Sequence, residues 1–187
     1  MVEKKSLADD AFVLLFVDET SVNLHPILRR CWMKRGQRKT IPAPGSPRYT
    51  HTFGAYNWRD DTVWHQTKDR KNGDSFIEFI EYLMLQAYPD VKVIIVMDNA
   101  SYHRSRASMA ALSLFAERLY VVWLPRYCPF LNAIERFWLH LKFLAAANCL
   151  HRTITDLIRT IDDTILNQNQ PDHPDRLNFA QHFPLTA

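Results

Sequence analysis

The sequence has little cysteine and no cysteine cluster. Its three cysteines, Cys31, Cys128 and Cys149, are widely spaced, and no CxxC or Cys–His pattern occurs. A zinc site or a disulfide framework is therefore not expected. The pattern is typical of a protein that stays in a reducing compartment.

Long apolar runs are also absent. The first ten residues, MVEKKSLADD, are charged and lack the apolar core of a signal peptide. No apolar run approaches the roughly 20 residues that a membrane-spanning helix needs. We therefore expect a soluble, cytoplasmic protein with no membrane partner.

Glycine is scarce, and the composition does not favour disorder. The chain has 187 residues, of which 4 are glycine, 47% are hydrophobic and 23% are charged. This suits one domain that buries about two-thirds of its unfolded surface. We expect the domain to span residues 1–170 and a polar, proline-containing tail to span residues 171–187. The net charge of +3 is compatible with nucleic acid but too small to require it.

Short apolar runs alternate with segments of helical periodicity. Five runs bounded by turn residues predict strands at 11–17, 49–56, 62–66, 91–97 and 120–124. Four helices are predicted at about 76–88, 105–118, 133–145 and 153–168. Ser75 and Asn132 are the predicted N-caps of the first and third helices. An α/β fold with a mixed sheet and helices on both faces is expected.

Two aspartates follow the two most apolar predicted strands. Asp18 comes after the first run and Asp98 after the fourth. If these strands are parallel neighbours, both carboxylates emerge at one edge of the sheet, where α/β proteins place their sites. Clustered carboxylates repel unless a cation neutralises them, and hard divalent ions such as Mg²⁺ prefer oxygen ligands. Glu135, in the first turn of the third predicted helix, would supply a third ligand from a rigid element.

Each of these three residues also has a simpler explanation. Asp18 fits a turn, and the adjacent Glu19 is a rival ligand. Asp98 fits a loop cap through hydrogen bonds to its own backbone. Glu135 fits the third helical position of a capping box that begins at Asn132. The residue types alone leave both interpretations open.

Three sequence blocks resemble those of mariner-superfamily transposases. They are FVDET at 16–20, VMDNASYH at 96–103 and LPRYCPFLNAIERFW at 124–138. Their order and spacing are similar to those of the bacterial insertion-sequence transposases that carry a DDE triad. The resemblance extends over roughly residues 11–168, and the last block is specific.

The resemblance implies an RNase H-like fold in which the strands that precede Asp18 and Asp98 are adjacent. It implies that Asp18, Asp98 and Glu135 are the catalytic metal ligands, holding two Mg²⁺ or Mn²⁺ ions. Asn99 and His103 would support the site. The implied reaction cleaves double-stranded DNA at the terminal inverted repeats of a transposon and transfers strands into a TA target. A homodimer would act in the DNA complex, at the bacterial nucleoid.

The last block departs from the family pattern at three positions. Cys128 stands where serine is usual, Phe130 where a polar residue is common, and Ala133 where proline is typical. Ala133 lacks the preset helix-start geometry of proline but leaves Glu135 in place. Because none of these changes removes a predicted ligand, we expect them to affect catalytic efficiency rather than the reaction mechanism.

Full-length relatives carry an N-terminal helix-turn-helix region that reads the terminal repeats. This chain begins almost at the first predicted catalytic strand. We therefore expect an isolated catalytic domain, a degraded copy, or the second reading frame of a split element. In the last case, the product of an upstream frame would supply the helix-turn-helix.

Basic residues cluster between the first two predicted strands. Six of them are predicted to contact the DNA backbone: Arg29, Arg30, Lys34, Arg35, Arg38 and Lys39. Lys142, on the helix of Glu135, is a further candidate. In relatives, the region between these strands can also reach across a dimer. A solvated basic hairpin with Trp32 in the core is the alternative.

Two other function classes stay open. The first is a catalytically silent remnant that acts as a DNA-binding or dimerisation module, because isolated catalytic domains of mobile elements decay readily. The second is a stand-alone RNase H-like nuclease with another substrate. The third sequence block disfavours this nuclease, whereas the missing recognition region favours it.

Overall fold

The computed structural model describes residues 12–43, 45, 47–174, 176 and 178, and these form one sheet and four α-helices. The strands are β1 (Phe12–Asn23), β2 (Tyr49–Asn57), β3 (Thr62–Lys68), β4 (Lys92–Met97) and β5 (Leu119–Trp123). The helices are α1 (Gly73–Tyr82), α2 (Arg106–Ser113), α3 (Ile134–Ala146) and α4 (Ile154–Gln168). A π-helical turn, Leu83–Ala87, continues α1, and a 3-10 turn, Pro129–Leu131, precedes α3.

The sheet is mixed, with the strand order β3-β2-β1-β4-β5. β1 pairs antiparallel with β2, and β2 antiparallel with β3. β4 lies parallel to both β1 and β5. The predicted adjacency of the two strands that carry Asp18 and Asp98 is therefore confirmed.

Helices cover both faces of this sheet, as predicted. On one face, α1 packs onto β1, β2 and β4 through side chains with no exposed surface, such as Phe76 and Phe79. On the other face, α3 and α4 pack together through residues such as Trp138 and Leu157. Each helix thus buries the apolar stripe that its 3.6-residue periodicity creates.

β1 is longer than predicted, and Asp18 lies inside it rather than after its end. The sequence predicts that this strand ends at Val17, because polar residues follow. In the structure, residues 18–23 continue the antiparallel ladder with β2, from Asp18 opposite Gly54 to Asn23 opposite Tyr49. The backbone hydrogen bonds of this ladder hold the strand although its side chains become polar. Ala11, the predicted first residue, lies outside the described residues.

Two predicted helix caps are wrong. α1 is capped by Asn72, whose side chain accepts a hydrogen bond from Ser75 N at 3.0 Å. Asn132 does not cap α3, because its Nδ2 donates to the carbonyl oxygen of Val17 at 3.1 Å. The N-cap position of α3 is Ala133, which has no side-chain hydrogen bond. Glu135 therefore does not belong to a capping box begun by Asn132.

α2 is shorter than its apolar periodicity predicts. It ends at Ser113, and the chain then forms turns up to β5. The carbonyl oxygen of Phe115 accepts hydrogen bonds from Arg118 N at 2.9 Å and Leu119 N at 2.7 Å. These bonds turn the chain into β5.

The described part of the predicted tail contacts the β2–β3 turn. Arg176 Nε and Asn178 N both donate to Asp61 Oδ2, at 3.2 and 2.9 Å. Most of the predicted tail, including residues 179–187, lies outside the described residues. Among the residues that are described, no helix is long and apolar enough to cross a membrane.

Gly54 of β2 lies directly against side chains of α3. It pairs with Asp18 of β1. A Cβ atom at this position would stand 2.7 Å from Trp138 Cζ2 and 3.1 Å from Ile134 Cδ1. Only glycine leaves room here for the indole of Trp138, which lies beside Asp18.

Replacing Gly54 with alanine is expected to lower the free energy of unfolding by about 1–3 kcal/mol, because the added methyl group overpacks a buried indole. Urea unfolding followed by circular dichroism measures this change. Gly45→Ala is the matched control, since nothing lies within 4 Å of a Cβ there. Its effect should stay within about 0.5 kcal/mol. Equal stability of the two variants would contradict the described packing.

Candidate active site

Three acidic residues from three different elements line one cavity. Asp18 lies in β1, Asp98 directly follows β4, and Glu135 is in the first turn of α3. The cavity has a volume of about 410 Å³. The rest of its wall comes from the loop between β5 and α3, which includes Asn132, and from Asn99 and Ala100.

Asp18 is hydrogen-bonded to α3, and its surroundings disfavour the charged carboxylate. Its Oδ2 accepts a hydrogen bond from Trp138 Nε1 at 3.2 Å. Burial of the side chain, together with the negative charges of Glu19 and Glu135, raises the pKa of Asp18 to about 7. A bound cation would relieve this repulsion and restore the carboxylate form.

Asp98 is held through one of its two oxygens. Its Oδ1 accepts hydrogen bonds from Ala100 N at 3.0 Å and from His103 Nδ1 at 2.9 Å. The hydrogen bond from His103 is the main reason that the pKa of Asp98 is lowered. The Asp98 side chain is 54% exposed, so the carboxylate is both fixed and accessible from the cavity.

Glu19 points away from the cavity, to the opposite face of the sheet from Asp18. Its Oε1 lies 2.8 Å from His103 Nε2, and its Oε2 accepts a hydrogen bond from Tyr102 Oη at 2.5 Å. Lys71 Nζ lies 3.6 Å from the same Oε2. The structure thus places Glu19, the rival ligand, beneath the site rather than among the three cavity-lining acids.

His103 lies between two carboxylates and has no exposed surface. Its burial alone would lower its pKa, but the hydrogen bonds to Asp98 and Glu19 raise it to about 9. The imidazole is therefore protonated at neutral pH and can donate from both ring nitrogens. This position behind Asp98 suits the supporting role predicted for His103.

Asn99 joins the loop after β4 to the end of β5. Its Nδ2 donates to the carbonyl oxygen of Leu124, and its Oδ1 accepts from Arg104 Nη1 at 3.1 Å. The guanidinium of Arg104 also stacks over Trp123, 4.6 Å from the ring centroid. These contacts fix the loop that carries Asp98.

The donor set of the cavity fits a hard divalent cation, because all three acids offer oxygen. In the part of the chain that the structure describes, however, no group of three His, Cys, Asp or Glu side chains is arranged to hold a metal ion. The structure therefore brings Asp18, Asp98 and Glu135 to one cavity but not into a ready-made cluster.

The basic segment, residues 29–39, is exposed throughout and lacks regular structure. Trp32 has 101% relative exposure, so the alternative that places it in the core is wrong. The base of the segment is anchored to the end of α3, where Asn148 makes side-chain hydrogen bonds of 3.0 Å to both backbone groups of Arg29. The six basic side chains that are predicted to contact DNA are all exposed to solvent.

Lys142 lies two turns after Glu135 on α3 and is half-buried. The nearby His140 contacts Gln168 of α4, with 3.1 Å between His140 Nε2 and Gln168 Nε2.

Trp138, Tyr102 and Lys71 contact the acidic residues although no motif singles them out for this role. Trp138 follows Glu135 by three residues, and this spacing places both on one face of α3. The three-residue spacing from Glu135 could therefore have identified Trp138 as a neighbour of the site. Lys71 lies in the loop before α1, and no local pattern links it to Glu19.

Comparison with known proteins identifies the family of this chain. Residues 13–158 match the family model of the DDE superfamily endonucleases. A curated relative, the insertion element IS630 uncharacterized 39 kDa protein of Shigella sonnei, is 26% identical over 142 residues. The match covers 76% of this chain and 38% of the relative, so the chain spans well under half of the relative's length.

Solved structures share the fold at low sequence identity. The Mos1 transposase paired-end complex with left transposon end matches with a TM-score of 0.65 and 18% identity, covering 87% of this chain and 50% of that chain. The catalytic domain of Mos1 mariner transposase matches with a TM-score of 0.57 and 15% identity, covering 83% of this chain and 70% of that one. Since the family model matches most of the sequence, the chain belongs to the DDE superfamily endonucleases and has the RNase H-like fold of a mariner-type transposase catalytic domain.

Proposed function

We propose that this chain catalyses DNA strand cleavage at transposon ends and strand transfer into a TA target. The observation that carries the proposal is the placement of Asp18, Asp98 and Glu135 around one cavity in a chain of the DDE endonuclease family. Each acid comes from a different structural element, so the fold rather than local sequence brings them together.

Asp18, Asp98 and Glu135 would hold Mg²⁺ or Mn²⁺, and we propose two ions. Two related Mos1 structures are described as paired-end complexes with Mn and with Mg. When bound, such ions activate a water or 3′-hydroxyl nucleophile and stabilise the leaving oxygen of the phosphodiester. The role of the chain is to orient the ligands: Trp138 holds one oxygen of Asp18, and His103 one oxygen of Asp98.

The proposed partner is double-stranded DNA. Complexes of the related Mos1 transposase contain transposon ends, and here the exposed basic segment would contact the phosphate backbone. Recognition of the terminal inverted repeats would come from a helix-turn-helix unit, supplied by an upstream reading frame. The reaction would take place in the bacterial cytoplasm, at the nucleoid.

We also propose that the chain works as a homodimer on DNA. The basic segment is exposed and carries Trp32, which is 101% exposed, and Leu28, directly before the segment, is 76% exposed. Large apolar side chains on an exposed segment gain free energy when a partner covers them. This segment would pack against a second copy of the chain in the DNA complex.

A catalytically silent DNA-binding module is the second candidate. It is favoured by one observation, namely that the described acids do not form a preassembled metal cluster. The two candidates differ in whether a divalent ion draws the three acids together and cleavage follows.

The chain is expected to nick a duplex that carries the terminal repeats of its own element, and only when Mg²⁺ or Mn²⁺ is present. Asp98→Asn should abolish the nick, because the neutral amide lacks the carboxylate charge through which proteins bind Mg²⁺. Gel analysis of end-labelled DNA measures the cleavage. Glu81→Gln, at an exposed position of α1, is the control and should cleave at the wild-type rate. If neither the chain alone nor the chain with the upstream product cleaves, the silent module is favoured.

Changing Arg29, Arg30, Lys34 and Arg35 to glutamine is expected to weaken DNA binding and its dependence on salt. Each phosphate contact contributes about 0.9 to the slope of log K against log salt. The loss of four contacts would therefore flatten the slope by up to about 3.6. Fluorescence anisotropy at several salt concentrations measures the slope.

The control for this prediction is the double variant Arg152→Gln and Arg159→Gln. Both arginines are exposed and lie outside the basic segment. Arg152 precedes α4 and Arg159 lies within it, and neither lines the cavity, so the slope should stay as in the wild type. A slope unchanged by the fourfold variant would contradict the role of the basic segment in DNA binding.

A further inference from the structure

Glu19 is a deeply buried carboxylate that the proposed chemistry does not use. Its side chain is 1% exposed, and it lies on the opposite face of β1 from Asp18. Burial of a charged carboxylate is unfavourable unless its oxygens are paired. Its oxygens are paired with His103, Tyr102 and Lys71, so the fold maintains a costly polar cluster at this place.

The cluster connects Glu19 to Asp98 through one side chain. His103 Nε2 lies 2.8 Å from Glu19 Oε1, and His103 Nδ1 lies 2.9 Å from Asp98 Oδ1. The imidazole is fully buried, and its centroid lies 4.4 Å from that of Phe76. Packing against this ring limits the imidazole to small movements, and the two hydrogen bonds fix its rotation.

Asp98 depends on this arrangement because it follows the end of β4. Beyond Met97, no strand pairing holds the backbone of Asp98. The anchors of its carboxylate are Ala100 N, in the same loop, and His103 Nδ1. The latter is tied to β1 through Glu19. Without Glu19, His103 would keep a buried ring nitrogen with no acceptor, a condition that favours its displacement.

We propose that Glu19 is a positioning residue for Asp98 that acts through His103. Glu19 holds the imidazole, the imidazole holds Oδ1 of Asp98, and the other carboxylate oxygen of Asp98 is presented to the cavity. The inference rests on the proposed function, since Asp98 binds a cation only under it. Adjacent residues of β1 thereby serve one site from two faces of the sheet: Asp18 directly and Glu19 from behind.

Manganese titration calorimetry on the full chain tests this role. Glu19→Ala should raise the dissociation constant for Mn²⁺ roughly 10- to 100-fold, as loss of an outer partner of a metal ligand does elsewhere. Glu19→Gln keeps an acceptor for His103 and should have a smaller effect. Glu78→Gln, which removes a carboxylate that pairs with Lys68 on the surface, should have none.

A double-mutant cycle tests whether Glu19 acts through His103. In a His103→Ala background, Glu19→Ala should cause no further loss of Mn²⁺ affinity, because the connection is already broken. Additive losses would overturn the proposal. Two single changes add a matched comparison: the amide of His103→Asn can replace Nδ1, whereas that of His103→Gln can replace Nε2. We expect His103→Asn to bind Mn²⁺ more tightly than His103→Gln.

A measurement without metal separates this inference from the proposed function. Nuclear magnetic resonance of the chain with ¹⁵N-labelled histidine should show a slowly exchanging Nδ1 proton on His103, because the ring is buried between two acceptors. Glu19→Ala should abolish that signal, and Glu19→Gln should retain it with faster exchange. If the wild-type chain binds no Mn²⁺, the proposed function fails, yet the proton signal still decides the role of Glu19. An unchanged Nδ1 signal in folded Glu19→Ala would overturn the proposal.

Discussion

The parallel pairing of β1 with β4 is the constraint on which the site depends. The last pair in this ladder is Phe16 with Val96, and each of the acids Asp18 and Asp98 comes two residues after its member of this pair. Equal spacing from the same pair brings both carboxylates to one level of the sheet. β1 then continues alone against β2, so Asp18 stands on a paired strand while Asp98 stands on a loop. The two aspartates therefore need different supports.

Those supports come from opposite faces of the sheet. On one face, α3 brings Glu135 into the cavity and Trp138 to Asp18, and Gly54 gives the indole the room it needs. On the other face, His103 and Glu19 hold Asp98. Burial is the main cause of the raised pKa of Asp18, and repulsion from Glu19 and Glu135 adds to it, so the cavity is an unfavourable place for three carboxylates. A divalent cation would draw them together and offset the unfavourable free energy of placing them there.

The strands and the placement of the two aspartates could be predicted from the sequence because their signals are local, whereas only the resemblance of the three sequence blocks distinguishes Glu135 from a capping residue. Apolar runs mark β4 and the first half of β1, and each aspartate stands where such a run stops. The rest depends on pairing between distant residues. β1 continues through polar residues because β2 pairs with them, Asn132 binds the carbonyl of Val17 rather than capping α3, and Glu19 meets His103 across the fold. No window of neighbouring residues contains these contacts.

The central claim is that Asp18, Asp98 and Glu135 bind a divalent cation together. Diffraction from crystals grown with Mn²⁺, measured at the manganese absorption edge, tests it most directly. The account predicts anomalous density in the cavity within coordination distance of all three carboxylates. Density that touches other residues only, or none at saturating Mn²⁺, would contradict it.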